Sequence, residues 1–175
     1  MHYPTKMSRD LGDLDPDFAV SCRRLLAELG AGGKEYKPFC TLRHPAIQAR
    51  LWRQSRTKSE IERACRSLHN HGAKWLAELL DGVGPQYGPW ATSKLPGQSW
   101  HQHGLALDVY RVVGGKAVWE PDAYEPYALA AKAMGFVSGH FWRRKDSVHI
   151  QMKSGRVMDT HNWSSLDQLM RERFA

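Results

Sequence analysis

Apolar positions repeat with a helical period early in the chain. After Asp15-Pro16, an N-cap followed by a proline suited to the first helical turn, Phe18, Cys22, Leu25, Leu26 and Leu29 recur at i, i+4, i+7, i+8 and i+11 until Gly30. This spacing predicts an amphipathic helix with one buried face. Ala31-Gly32-Gly33 turns the chain, and Tyr36 to Leu42 reads as a strand that Pro38 confines to a sheet edge or a strand start. Pro45 opens a helix through about Gln54. From Ser59 to Leu80, Ile61, Cys65, Leu68, Trp75, Leu76 and Leu79 lie roughly on one side of a second long helix, with Gly72 as its weak point. Residues 81–97 hold four glycines and three prolines and read as a long loop of the kind used for substrate contact. Leu105 to Val113 and Lys116 to Trp119 read as strands joined by a Gly114-Gly115 hairpin turn. Tyr124 to Met134 is an Ala-rich helix ended by Gly135, Phe136 to Trp142 and Val148 to Met152 read as strands, and Ser164 to Phe174 is a final helix. Helices around a small antiparallel sheet predict an α+β fold, read as one domain over residues 1–175.

Composition narrows the class. The chain has 175 residues, 42% hydrophobic and 25% charged, which excludes an intrinsically disordered or collagen-like chain. At this length folding buries roughly 70% of the unfolded surface, enough for a core without disulfide staples. No stretch approaches the ~20 apolar residues of a membrane span, and Met1 to Asp10 lacks the apolar region of a signal peptide. Cys22, Cys40 and Cys65, three without close spacing, argue against a disulfide framework or a CxxC metal site and read as buried thiols. Lys and Arg total 25 against 18 Asp and Glu, a net charge of +7 that suits nucleic acid, anionic lipid or another anionic polymer equally.

The densest polar cluster runs from Ser99 through His101, His103 and Ala106 to Asp108, and Asp146-Ser147-Val148-His149 follows some forty residues later. Two histidines and a carboxylate make a three-ligand zinc site that leaves the fourth tetrahedral position open, the arrangement of catalytic zinc. Residues seven apart on a straight strand face opposite sides, so His101 and Asp108 need a turn between them, which Gly104 supplies. Asp108 then shares a face with Ala106, whose small side chain leaves room for a metal. Asp146 and His149 can converge at a strand start while Val148 and Ile150 point into the core. The spacing leaves other arrangements open: His101 and His103 chelating together, or Asp108 orienting an imidazole without binding metal. A lone histidine or an Asp at a strand start is more often structural than catalytic.

The pattern Ser99-x-His101-x-x-Gly104-x-Ala106-x-Asp108 with Asp146-x-x-His149 resembles the zinc-dependent D-alanyl-D-alanine carboxypeptidase and L-alanyl-D-glutamate endopeptidase family, which cleaves peptidoglycan stem peptides. Upstream, Leu42-Arg43, Gln48, Leu51-Trp52 and Ser55-Arg56-Thr57 are similar to the arginine, "Q..LY" and "GRT" elements of its phage-endolysin branch. Thr92, Pro96-Gly97 and Gly139 to Trp142 fit the flanks, and the resemblance spans roughly residues 36–152. Trp52 stands for the usual Tyr, Ser55 for Gly and Val148 for Pro, and the spacer from Thr57 to Trp90 is long.

The resemblance implies one catalytic Zn2+ held by His101, Asp108 and His149, with Asp146 as general base. It implies that Arg43 lines the site, holding a substrate carboxylate or a developing oxyanion, and that Gln48 and Ser99 contact substrate. The expected activity is L-alanyl-D-glutamate endopeptidase cleavage of the stem peptide by a monomer, with D-alanyl-D-alanine carboxypeptidase or dipeptidase action as the alternative. With no signal peptide read, the expected route to the cell wall is holin-type release.

The structural readings of the same residues are plain ones. Arg43 can be a surface residue at a helix start, Gln48 a solvated helix residue, and Trp90, Trp100 and Trp142 core aromatics ahead of cleft walls. His103, His140 and His161 read as non-ligands. Two other function classes compete. Seven basic side chains from Arg43 to Arg66 against Glu60 and Glu62 motivate a nucleic-acid-binding domain, yet no helix-turn-helix, RNA-recognition or zinc-finger signature accompanies them. A zinc module without catalysis, as in hedgehog-type domains, is disfavoured by intact Asp146 and Arg43.

Overall fold

The computed structural model describes residues 3–175. In chain order these form α1 (Pro16–Ala31), β1 (Tyr36–Cys40), α2 (Pro45–Arg53), α3 (Lys58–Asn70), α4 (Lys74–Gly82), β2 (Ala106–Val113), β3 (Lys116–Val118), α5 (Glu125–Ala133), β4 (Val137–Ser138), β5 (His149–Gln151) and α6 (Trp163–Phe174), with short 3-10 turns between them. The fold is α+β, with one antiparallel five-stranded sheet in the order β1-β2-β5-β4 and β3 paired to β2. The chain divides into two compact units, a sheet unit (Met7–Leu42, His103–Ser154) and a helical unit built on Arg43–Gln102 and Gly155–Ala175.

In the sheet unit, Asp15 caps α1 through its Oδ1, which accepts from the Asp17 and Phe18 amides, and Pro16 occupies the first turn. The predicted face of α1 is the buried one: Phe18, Cys22, Leu25 and Leu29 pack with Leu107 and Val109 of β2, Ile150 of β5, Tyr124 at the start of α5 and Tyr127 within it. Each large apolar side chain fully buried there contributes about 1.5–3 kcal/mol. Phe18 meets Phe136 edge to face, with ring centroids 5.2 Å apart. Pro38 does lie on an edge strand, since among the described residues β1 pairs only with β2.

The helical unit corrects the long helix expected from Ser59 to Leu80. It is two helices, α3 and α4, broken where Gly72 takes φ +83°, a left-handed conformation that glycine adopts without a Cβ penalty. Thr57 and Glu60 form a reciprocal capping box at the start of α3. Only Leu68 of α3 is buried, whereas Leu76, Ala77, Leu79 and Leu80 of α4 are. The Leu76 amide donates to Asp167 Oδ1 of α6 at 2.8 Å. Gly97, at φ +92°, lies close to Leu76 and Leu166, where a side chain would intrude.

The strand expected over Phe136 to Trp142 shortens to Val137–Ser138 and then turns through a 3-10 segment, Gly139–Phe141. The turn is forced by packing. Gly139 lies so close to Asp146 that its O accepts the Asp146 amide at 2.9 Å and a Cβ on it would meet Asp146 O at 2.5 Å.

Candidate metal centre

In the sheet unit, the register of β2 and β5 pairs Asp108 directly with His149, and Ala106 with Gln151. Directly opposed residues share a face of the sheet, and the alternating residues Leu107, Val109 and Ile150 fill the core on the other face. Asp108 and Ala106 thus share one face of β2, and Ile150 lies on the other. Asp108 and His149 are both buried, with Oδ1 and Nδ1 2.8 Å apart. The other ring nitrogen of His149 faces Gln151 Oε1 at 3.2 Å, and Gln151 Nε2 donates to the Lys153 carbonyl at 2.5 Å. The imidazole is thus held at both nitrogens, and the Trp142 ring lies 5.3 Å from it.

Asp146 is exposed at the head of the turn that launches β5, its carbonyl accepting the His149 amide at 3.1 Å. One turn therefore fixes both the exposed carboxylate and the buried imidazole. His140 is buried and pairs through Nδ1 with Ser147 Oγ at 3.0 Å, a structural contact.

Cys40 is a buried thiol, as the sequence predicts, and it also stands beside the Asp108 carboxylate. It is fully buried, opposite Asp108 on the β1 side, with its Sγ within 4.8 Å of an Asp108 carboxylate oxygen. The reading of the cysteines as buried thiols describes both Cys40 and Cys22; Cys22 is sealed in the apolar core, where burial pushes its thiol up to about 12 against the opposing pull of Arg23. Cys65 is half-buried.

In the helical unit, His101 is buried in a 3-10 turn, Trp100–His103, whose start is fastened by Gln102. Gln102 Oε1 accepts from the Gly97 amide at 2.9 Å and the Ser99 amide at 3.3 Å, while its Nε2 is buried without a hydrogen-bond partner. Ser99, half-buried, gives its carbonyl to the Gln102 amide at 2.9 Å. The Arg43 amide donates to the His101 carbonyl at 3.1 Å, and Arg43 Nη1 donates to Gln48 Oε1 at 3.1 Å. Gln48 is fully buried and its Nε2 donates to the Lys94 carbonyl at 2.7 Å, so it is not a solvated helix residue. It links the Arg43 guanidinium to the Gly-rich and Pro-rich loop.

That loop is tied to the end of α2 at further points. Arg56 stacks over Trp52 at 4.7 Å and Trp90 at 5.9 Å while donating to the Thr92 carbonyl, and Ser55 Oγ donates to Gly88 O at 2.8 Å. Of the three tryptophans read as core aromatics ahead of cleft walls, only Trp100 is buried, whereas Trp90 and Trp142 are about 40% exposed. The basic run is not a uniform solvated face either. Arg53 is buried and donates to the Leu80 and Asp81 carbonyls that end α4.

No family model matches the chain, and no curated protein matches it. Among solved structures it is similar to an L-Ala D-Glu endopeptidase, ChiX, of Serratia marcescens, at 23% identity and a TM-score of 0.48, over 86% of this chain and 89% of that one. It is also similar to the vancomycin resistance D,D-pentapeptidase VanY, a point mutant in complex with Zn(II). That match has 14% identity and a TM-score of 0.47 over 93% of this chain and 80% of that one. Among the described residues no helix is long and apolar enough to cross a membrane.

Proposed function

We propose that the chain is a zinc-dependent peptidase that hydrolyses a peptide bond in the peptidoglycan stem, with His101, Asp108 and His149 holding the metal. The observation that supports this best is the buried cross-strand pair of Asp108 and His149, followed by an exposed carboxylate on the turn that positions His149. The donor types suit the group, since two imidazoles and a carboxylate are the open three-ligand set of catalytic zinc, and Ala106, with its small side chain, shares the sheet face of Asp108. Bound zinc would supply Lewis acidity at the scissile carbonyl and acidify the attacking water.

The chain's own residues do the rest. His149 presents Nδ1 on the Asp108 side and its Nε2 faces Gln151 Oε1, which holds the ring angle. Asp146 takes the proton of the attacking water and returns it to the leaving amine. Arg43 holds the substrate carboxylate or the developing oxyanion, and Gln48 holds Arg43 in place. The preferred bond is L-alanyl-D-glutamate, cut internally, and the net +7 charge favours encounter with an anionic cell envelope. Action at the wall after holin-type release, as a monomer, belongs to the same proposal.

Digestion of purified peptidoglycan, with mass analysis of the released peptides, tests it. Peptides with a new D-glutamyl amino terminus, abolished by a chelator and restored by zinc, are expected. Release of D-alanine alone would transfer the activity to the carboxypeptidase alternative. Intact peptidoglycan with a zinc-loaded enzyme would overturn the proposal.

A further inference from the structure

We infer that the sheet face carrying Asp108 and His149 continues into an aromatic subsite, formed by Trp119, Tyr110 and Phe39, that takes the sugar to which the stem peptide is attached; this rests on the L-alanyl-D-glutamate reading above. The inference comes from strand register. β2 puts Ala106, Asp108 and Tyr110 on one face and Leu107 and Val109 on the other, in the core. Tyr110 stands opposite Lys37 of β1, and the pairing of Arg111 with Val118 carries on to set Trp119 beside Tyr110, with ring centroids 5.9 Å apart. The register of β1 runs Tyr36 to Arg111, Lys37 to Tyr110 and Pro38 to Val109, then shifts so that Cys40, not Phe39, stands opposite Asp108. Phe39 is the extra residue of this β-bulge. Its ring meets Trp119 edge to face at 5.1 Å, which places it with the other two.

The three rings lie outside the apolar cluster around α1, and Trp119 is 49% exposed, so core packing does not account for them. Aromatic ring faces are electron-rich and attract the C–H bonds on the flat side of a pyranose. The charges nearby are engaged: Lys37 pairs with Glu35 at 3.1 Å, the Arg9 guanidinium stacks over Phe39 at 5.3 Å, and Glu120 Oε2 accepts the Trp119 amide at 3.1 Å. A polyanion is held by unpaired cations, whereas this surface suits a neutral, hydroxyl-rich ligand. Tyr110 lies two residues beyond Asp108 on the same face, about 6.8 Å along the strand. In peptidoglycan the carbonyl carbon of an L-alanyl-D-glutamate bond is six bonds from the sugar, through the alanyl nitrogen and the lactyl ether, the reach of two extended residues or about 7 Å. With that carbonyl at the Asp108 and His149 pair, the sugar falls on the rings. The carbonyl of a D-alanyl-D-alanine bond lies three residues farther from the sugar, about 10 Å more, and would leave the rings unused.

The test compares two soluble substrates of the zinc-loaded full chain, a muramyl stem peptide and the same peptide with an N-acetyl group in place of the muramyl group. The muramyl substrate is expected to have a kcat/KM about tenfold higher. Trp119→Ala should remove that advantage through KM, leaving kcat and the N-acetyl peptide unchanged. Equal kcat/KM for the two substrates, or a loss in Trp119→Ala shared by both, would overturn the inference and leave the peptidase reading standing. Binding is read apart from activity, by titrating a peptide-free disaccharide of N-acetylglucosamine and N-acetylmuramic acid into the unmodified protein labelled with nitrogen-15. The Trp119 indole N–H signal, identified by its loss in Trp119→Phe, is expected to shift. An unmoved signal, or one moved by a single-stranded oligonucleotide and not by the sugar, would overturn the inference. A sugar-shifted signal in a protein that cuts neither substrate would keep the sugar site and strike down the peptidase reading.

Discussion

Replacing Gly139 by Ala tests whether the turn before β5 positions Asp146. An added Cβ would meet the Asp146 carbonyl oxygen at 2.5 Å, Asp146 Cβ at 3.0 Å and Trp142 Cε3 at 3.2 Å. To reach an ordinary contact of 3.4 Å the carbonyl oxygen would retreat by roughly 0.9 Å. That oxygen accepts the His149 amide, and the Asp146 amide is bonded to Gly139 O, so the shift strains two backbone hydrogen bonds at once. At about 1 kcal/mol net for each bond, the loss is about 2 kcal/mol, within the 1–3 kcal/mol usual for overpacking. In a chain of this size that lowers Tm by about 4–8 °C. A carboxylate displaced by nearly 1 Å from its working position costs on the order of 100-fold in kcat/KM. The assay is calorimetry, zinc content and peptidoglycan hydrolysis on Gly139→Ala beside Gly30→Ala, where a Cβ near the end of α1 meets nothing within 4 Å. The control should keep full activity and gain about 0.5 kcal/mol. A Gly139→Ala enzyme with unchanged Tm and turnover would refute the reasoning.

Asp146→Asn should keep full zinc content and lose about 100- to 10,000-fold in kcat; near-normal turnover with metal bound would remove Asp146 from the chemistry. Gln48→Ala leaves the Lys94 carbonyl and the Arg43 guanidinium each short of a partner. It should cost about 1–3 kcal/mol by urea unfolding and reduce hydrolysis; unchanged stability would contradict the buried bridge. His44 caps α2 by accepting the Ala46 amide on Nδ1, and burial lowers its pKa, with Arg50 adding to the effect and the Phe174 carbonyl opposing it. The folded state therefore favours neutral His44. Its contribution is complete above the unfolded value near 6.5 and is lost as pH falls from there toward the depressed folded value. His44→Asn, which caps without titrating, should flatten that part of the urea-midpoint profile; an unchanged acid slope would exclude His44 as its source.

Local signals were readable wherever neighbours along the chain decide the conformation. Asp15-Pro16 and the spacing from Phe18 to Leu29 specify α1 and its buried face, and Pro38 marks an edge. Ser55 stands where the resembled motif has glycine, and it is the one non-glycine among the described residues with positive φ, at +61°. Its bond to Gly88 O helps hold a conformation that glycine would adopt without Cβ strain. Features set by distant contacts were not readable. The apolar spacing from Ile61 to Leu79 runs on through Gly72, the weak point at which the chain breaks into two helices, and of α3 only Leu68 is buried. The strand expected through Trp142 stops where Asp146 crowds Gly139. The row of Asp108 and His149 depends on strand register, and Cys40 joins it only through a one-residue slip. Arg53 counts as surface charge in the sequence, yet it caps α4 from within the helical unit.

The irregular β1 also bears on what kind of polymer this protein can read. Pro38 has no amide hydrogen to offer and the bulge disrupts the ladder, so this edge is a poor template for an incoming peptide to join as a further strand. Under the proposed function, recognition falls to side chains such as Arg43 rather than to strand pairing. A stem peptide of mixed chirality, whose backbone does not repeat the pleat of an L-peptide, loses nothing by that arrangement, whereas an ordinary extended polypeptide loses its main means of attachment.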